Sequence, residues 1–465
     1  MVNNNTMFNA AIRKYSWSVA VAVTASLLLA GNGVSAEKPK NDRAVRLLAT
    51  VTIPPTANNT TANALYSFDI SWIDQATQTY YLADRSNKVV DIADTASNLL
   101  LFQLPGGFAG FSGNNNTSGP NGVTAGGHCL FVTDSPSRVV SFDTTTFPPT
   151  LINAVSTAAM DPNRADELAF DPRDGLILAI NNADTPPFGT LITVNQATCA
   201  LTQPTAPAPG VPAPDRIIFD VANTGVDAQN GAEQPIWDPG TQKFYVSIPQ
   251  LGVNAEDGGV VRISTAGKVE FTYPIKFCSP AGLTLGPNED VLVGCNTVFN
   301  TAGKLWTAID PLTAAPIQVI LNVVSGNQDQ VAGVGVGDEV WFNKGDNNYY
   351  TASSTSPLRP LDTVPSPPVP PLTAQGAAIL GVIDAKDEEV LQLVPTFNVP
   401  QVPPPPASPS VHPAGTAHSV AADANNNHIF VPLAANNVFP FCTTGCIAVF
   451  WHGDEDEPGV APTPP

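Results

Sequence analysis

The chain has 465 residues, 13% of them charged, with 46 prolines, 35 glycines and a formal charge of −20. A hydrophobic content of 43% supplies the apolar surface that a packed core needs and excludes wholesale disorder. The acid excess repels nucleic acid and anionic membrane surfaces and attracts cations, so no nucleic-acid partner is expected.

The first element reads as an export signal. Arg13 and Lys14 precede the apolar run "VAVAVTASLLLAG" (19–31), and "VSA" (34–36) supplies a cleavage site after Ala36. Loss of those two cations takes the formal charge from −20 to −22. No other run is long and apolar enough to cross a bilayer, so residues 1–36 are expected to leave a soluble, exported chain, secreted or periplasmic.

From there the sequence repeats one cadence: a short apolar run, a turn rich in Gly, Asp, Asn and Pro, a second apolar or aromatic run, then a third. It begins with "SFDISWIDQATQTYYLADRSNKVVDIAD" (67–94) and "GPNGVTAGGHCLFVTDSPSRVVSFD" (119–143). Further copies are "ADELAFDPRDGLILAINNADTPPFGTLITV" (165–194), "AEQPIWDPGTQKFYVSIPQ" (232–250) and "SPAGLTLGPNEDVLVGCN" (279–296). The last two are "DQVAGVGVGDEVWFNKG" (329–345) and "GTAHSVAADANNNHIFVPL" (415–433), the latter followed by "CIAVFW". Four-stranded units that recur at roughly fifty residues cannot bury both faces alone and stack as the blades of a ring. The expected fold is therefore all-β, a seven-bladed β-propeller. Two separate barrels or sandwiches account less well for the even spacing. The last copy lacks a fourth strand, and "AVRLLATVTI" (44–53) stands unused before the first. The N-terminal strand is expected to complete the last blade and remove the open edge.

One propeller domain is thus expected over 37–455, with proline-rich loop insertions near 361–373 and 399–413 and a disordered acidic tail at 456–465. Six cysteines in an exported chain point to disulfides. Cys442 and Cys446 can close locally, Cys278 and Cys295 would join neighbouring strands of one hairpin, and Cys129 and Cys199 remain to pair by elimination, one set among fifteen. A zinc site from the "CTTGC" cysteines and His452 is the weaker alternative, because its spacing is loose.

In a propeller, the residue just before each innermost strand points at the central channel. Aligned in this way, the copies present Asp69, Asn121, Glu167 (or Asp166), Glu233, Ala281, Asp329 or Gln330, and His418. Carboxylates aimed at one mouth must hold a cation or keep protons. Oxygen donors favour a hard divalent cation, with calcium ahead of magnesium. His418 fits a proton-transfer role better than a calcium shell. His128, His412, His428 and His452 read as turn or surface residues. A quinone cofactor would need cationic partners, which the aligned ring does not supply.

The stretch "AEQPIWDPGTQKFYVS" resembles the metal-binding motif of the gluconolactonase (senescence-marker-protein-like) propellers, where a Glu precedes a Pro-x-Trp-Asp turn. "GPNGVTAGGHCLFVTDSPSRVVSFD" is similar to a blade of that family whose Asn is a metal ligand, and the cadence is shared with NHL-type and YVTN-type propellers. The resemblance implies that Glu233 and Asn121 hold a divalent metal and that the metal polarises a lactone or ester carbonyl and activates water; Asp69 or Glu167 would have to replace the family's aspartate, and Glu167 is the expected third ligand. Asp69 would then orient the water and His418 transfer the proton. The resembling motifs cover two or three blades. The family has six blades, and its "PDG" aspartate is absent here. The expectation is a monomeric, exported propeller that binds a small polar molecule, as a metal-dependent lactone or ester hydrolase or a lyase. The alternative is a non-catalytic scaffold.

Overall fold

In the computed structural model, residues 44–158, 161–205, 215–299, 317–356, 377–396 and 418–452 are described. All of them belong to one unit, Asn41–Pro465. The signal segment, both proline-rich insertions, His412 and the acidic tail lie outside the described residues. No helix among the described residues is long and apolar enough to cross a membrane.

The strands form seven antiparallel sheets. Blade 1 is built in order from Ser71–Asp74, Thr79–Asp84, Val89–Asp94 and Leu99–Pro105. Blade 2 uses Val123–Gly126, Cys129–Asp134, Arg138–Asp143 and Thr150–Ser156. In blade 3, Leu168–Asp171, Leu176–Asn181 and Phe188–Asn195 are followed by an outer position shared between Ala200–Leu201 and Arg216–Ile218. Blade 4 comprises Pro235–Asp238, Lys243–Ile248, Asp257–Ile263 and Val269–Lys276. Blade 5 comprises Cys278–Leu285, Asp290–Val298, Ile317–Asn322 and Gln328–Ala332, and blade 6 Val336–Asn343, Asn348–Ser356, Ala377–Asp384 and Val390–Pro395. Blade 7 takes Ala421–Asp423, His428–Leu433 and Cys446–Trp451 from the end of the chain, and Arg46–Thr52 from its start.

The hairpins follow from one local device. Many inner strands, and some others, end in Asp, whose carboxylate accepts backbone N–H groups two or three residues on. Examples are Asp74 to Ala76 at 3.0 Å, Asp84 to Asn87 at 2.9 Å and Asp238 to Gly240 at 2.8 Å. The residue four positions after each Asp then adopts positive φ: Gln78 at 51°, Lys88 at 59° and Gln242 at 58°. Asp tolerates and stabilises such turns, so the sequence marks several of the reversals with an acid.

Packing closes the ring. An apolar cluster fills the interface between each blade and the next among the described residues. Tyr81, Ile92, Val132 and Phe142 join blades 1 and 2, and Tyr350, Leu380, Ile429 and Val431 join blades 6 and 7. Second strands such as Thr79–Asp84 are buried on both faces, so they read as near-continuous apolar runs. At the seam, Val51, Phe68, Tyr80 and Phe430 share one cluster. The Tyr80 and Phe430 rings stack there at 5.2 Å, worth about 1 kcal/mol beyond burial. Arg46 lies opposite Trp451 and Thr52 opposite Cys446, with the register shifting once between Leu47 and Ala49. The N-terminal strand therefore completes blade 7.

The disulfides join Cys129 to Cys199, Cys278 to Cys295 and Cys442 to Cys446. The zinc alternative fails because both "CTTGC" cysteines are consumed. His452 is not a surface residue. It is 7% exposed, and its Nδ1 lies 2.9 Å from an Asp346 carboxylate oxygen and 3.1 Å from Asn348 Nδ2. It thereby pins blade 7 to blade 6. His428 is half-buried, with Nδ1 3.0 Å from the Thr95 carbonyl oxygen.

Candidate metal and ligand site

The residue that precedes each inner strand is fixed by a backbone hydrogen bond to the neighbouring second strand. Asp69 donates to the Ala83 carbonyl, Asn121 to Thr133, Asp166 to Ile180 and Glu233 to Ser247, at 2.7 to 2.9 Å. Each second-strand residue donates back to the residue after: Ile70, Gly122, Glu167 and Gln234. The first position of blade 3 is thus Asp166, and Glu167 stands one residue further along.

Blade 6 differs from the sequence reading. Asp329 and Gln330 belong to Gln328–Ala332, the outer strand of blade 5, where both are exposed. The inner strand of blade 6 is Val336–Asn343, and the ring position falls on Asp338, with Glu339 next. A register shift between Gly337 and Val340 lets this dipeptide bulge from the ladder, the usual way a strand re-aims a side chain. The missed signal was a short parallel, "ADEL" (165–168) against "GDEV" (337–340).

Two buried arginines, absent from the aligned ring, also reach this mouth, so the premise that it lacks cations is overturned. Arg85 is 1% exposed. Its Nη2 donates to Asp69, its Nε to Asn121 Oδ1 at 3.0 Å and its Nη1 to Asn115 Oδ1 at 2.9 Å. Arg164 donates from Nη1 to the same Asn115 oxygen at 2.9 Å and from Nη2 to Asp166 at 2.6 Å. Its Nη1 also lies 3.7 Å from Asp69. His418 bridges two acids, with Nε2 3.0 Å from Asp69 and Nδ1 3.1 Å from Asp338.

These contacts set the charge states. Burial alone would raise Asp69, but Arg85, the His418 hydrogen bond and Arg164 outweigh it and hold the carboxyl well below its ordinary range. Burial would lower His418, but Asp338 and Asp69 raise it to about 10 and keep it an imidazolium at neutral pH. Other acids of the mouth behave oppositely. Burial, then the neighbouring acids, push Glu167 well above the usual range. Burial and Asp166 raise Glu233 to about 8, and burial against the pull of Arg164 leaves Asp166 at about 6.

Asp166, Glu167 and Glu233 each offer an oxygen, and these oxygens lie within 4.8 Å of one another. Glu167 Oε2 is buried without a hydrogen-bond partner, and Asn182 Nδ2 donates to Glu233 Oε2 at 3.3 Å. Three convergent carboxylates, one of them with an unpartnered buried oxygen, fit a hard divalent cation. Asn121 sits beside this cluster with both ends of its carboxamide engaged, the oxygen by Arg85 and Nδ2 by the Ala165 carbonyl at 2.8 Å.

No family model matches the chain, and no curated protein matches it. Among solved structures, a chain of the Kuenenia stuttgartiensis hydrazine synthase is similar, with a TM-score of 0.55 and 10% sequence identity over 87% of this chain and 99% of that one. The gluconolactonase-like resemblance rests on the quoted motifs alone. At 10% identity the structural likeness shows the fold and nothing finer: the chain is a seven-bladed β-propeller.

Proposed function

We propose that the protein is an exported propeller that binds a divalent cation, calcium by preference, at the channel mouth and holds a small polar molecule against it. The observation that carries this reading is the cluster of Asp166, Glu167 and Glu233, with an unpartnered buried oxygen on Glu167. Such carboxylates stay ionised together only with a cation among them. A bound divalent cation polarises a carbonyl oxygen and makes water more acidic, and lactone or ester hydrolysis is the chemistry this suits. In that reaction His418, protonated and exposed at 21% of its side chain, acts as a proton donor, and the ionised Asp69 orients it.

A non-catalytic role is favoured by one observation. Asp69 and His418 are tied into an ion-pair network with Arg85, Arg164 and Asp338. No member of that network is a neutral base, so the site can bind without turning over.

Metal content of the purified mature protein, prepared without chelator, tests the cation beside the Glu233→Gln variant. Bound calcium in the parent and affinity at least about tenfold weaker in the variant is the expected result. A parent that binds no divalent cation overturns the reading. A lactone and ester screen in ¹⁸O-water then separates hydrolysis, which incorporates solvent oxygen, from elimination, which does not.

A further inference from the structure

The two buried arginines of the mouth divide their donors in the same way. Arg85 commits Nε to Asn121 and Nη2 to Asp69, and Arg164 commits Nε to Asn182 at 3.4 Å and Nη2 to Asp166. All four partners belong to the blades, so they hold both guanidiniums in fixed positions. The remaining Nη1 of each arginine meets one and the same atom, the Asn115 carboxamide oxygen, at 2.9 Å. That oxygen has two lone pairs, and each is taken by a donor from a different blade.

Asn115 itself is not part of a blade. It stands half-buried on the loop 106–122 between blades 1 and 2, and Ser112, Gly113, Asn114 and Asn116 around it are exposed. The loop tip holds its own shape: the Ser118 hydroxyl donates to the Asn114 carbonyl at 2.7 Å, and Asn114 Oδ1 accepts the Asn116 N–H at 3.0 Å. Two backbone bonds join the tip to the arginines, from Phe111 N–H to the Arg85 carbonyl at 2.9 Å and from Arg164 N–H to the Asn116 carbonyl at 2.7 Å. Gly107 and Gly113 have φ of 64° and 87°, and a Cβ on either would meet no described atom within 4 Å. Those glycines serve the backbone and mark where the loop can bend. A movable segment thus supplies the acceptor, and the blades supply the donors.

We propose that the Asn115 oxygen keeps the place of a ligand oxygen: the Nη1 groups of Arg85 and Arg164 form a subsite for an uncharged carbonyl group, which Asn115 fills until a ligand displaces it. This deepens the small-molecule reading given above and rests on it. The two guanidiniums stay in position when Asn115 leaves, because Asp69, Asn121, Asp166 and Asn182 still hold them. The charges select a neutral ligand over an anion. Asp69 already answers Arg85, and Asp166 answers Arg164. Glu167 and Glu233 lie beside Asp166, and Asp338 lies against His418, so a further carboxylate would meet like charge. Arg164 also links the subsite to the cation cluster, since its Nη2 holds Asp166. A ligand with its carbonyl oxygen between the guanidiniums therefore lies alongside the acids proposed to hold the cation.

Acetamide, which reproduces the Asn115 carboxamide as a free molecule, and acetate, its charged counterpart of the same shape, are the probes. Each is titrated at pH 7 into chelator-stripped parent and Asn115→Ala protein and followed by ligand-observed NMR. The expected result is saturable acetamide binding to Asn115→Ala, at least about tenfold weaker in the parent, where the protein's own side chain competes. Acetate is expected to bind the variant at least about tenfold more weakly than acetamide. No saturable acetamide binding to Asn115→Ala overturns the subsite, and equal binding to parent and variant overturns the role of Asn115. Acetate bound as tightly as acetamide overturns the uncharged class. No cation enters these titrations, so a parent that binds acetamide only after loss of Asn115 but never binds calcium removes the cation reading alone. If Asn115→Ala does not fold, Asn115→Ser carries the same test with the same expected order of affinities.

Discussion

Removal of Arg85 tests whether the buried ion network or the apolar blade faces hold the mouth in shape. The guanidinium is almost fully buried and donates to Asp69, Asn121 and Asn115. In Arg85→Leu the Asp69 carboxylate loses its main partner but keeps His418 at 3.0 Å and Arg164 at 3.7 Å. Breaking a buried pair costs about 3–5 kcal/mol because the surviving charge stays desolvated. With two cations still near Asp69, the lower end of about 3 kcal/mol is expected. Asp69→Asn should cost a similar amount by stranding Arg85. The double variant strands neither charge, so it should be about 2–3 kcal/mol more stable than the sum of the singles predicts. Urea unfolding followed by tryptophan fluorescence at pH 7 measures the cycle, with equal m-values required across the four proteins. Arg85→Leu within about 0.5 kcal/mol of the parent, or a coupling energy below that figure, would refute the argument.

The raised acids predict an unusual pH response. Folded-state values of about 6 for Asp166 and about 8 for Glu233 lie above those of the unfolded chain, so their stabilising contribution is complete at low pH and is lost as pH rises through those values. His418, raised to about 10, acts in the same direction above its unfolded value. The cation-free protein should therefore lose stability between about pH 4 and 8, on the order of 3 kcal/mol of it from Asp166 alone by about pH 6, and excess calcium should flatten the slope. Urea midpoints that rise with pH in chelator would contradict this. At the seam, Gly445 has φ of 96°, and a Cβ there would strike Leu65, so Gly445→Val should lower stability by at least about 2 kcal/mol and release the N-terminal strand to early proteolysis. A variant with parental protease resistance would show that the seam tolerates the change.

Much of the architecture was legible because propeller blades carry a local code. The Asp-marked reversals, the doubly buried second strands and the missing fourth strand of the last copy all lie within short windows. The disulfides followed because two pairs are close in sequence and the third was left over. Blade 6 was read off by one strand because "DQVAGVGVGDEVWFNKG" offers two places where a strand can begin, and only packing on blade 5 decides between them. The bulge at Asp338 and Glu339 obeys no alternation that a sequence displays. Arg85 and Arg164 were missed for a different reason. Arg85 follows the second strand of blade 1 and Arg164 lies two residues before the ring position of blade 3, so neither occupies the repeated place. Their convergence on Asn115 is a property of the closed ring.

The seam also sets how the molecule bears load. Arg46 pairs with Trp451 and Thr52 with Cys446, so the two strands run antiparallel with their outward ends at the same corner. A pull applied through residues 44 and 452 acts on that corner and parts the rungs one after another, as in peeling, rather than shearing them all at once. The Thr50 and Thr52 hydroxyls, which donate to the Pro440 and Phe441 carbonyls at 2.7 and 2.9 Å, stand towards the far end of the peel, beside the Cys442–Cys446 bridge. Tension between the ends would thus open blade 7 at low force while leaving blades 2 to 5 mechanically untouched, whereas a tether anchored elsewhere on the ring would meet several blades in shear.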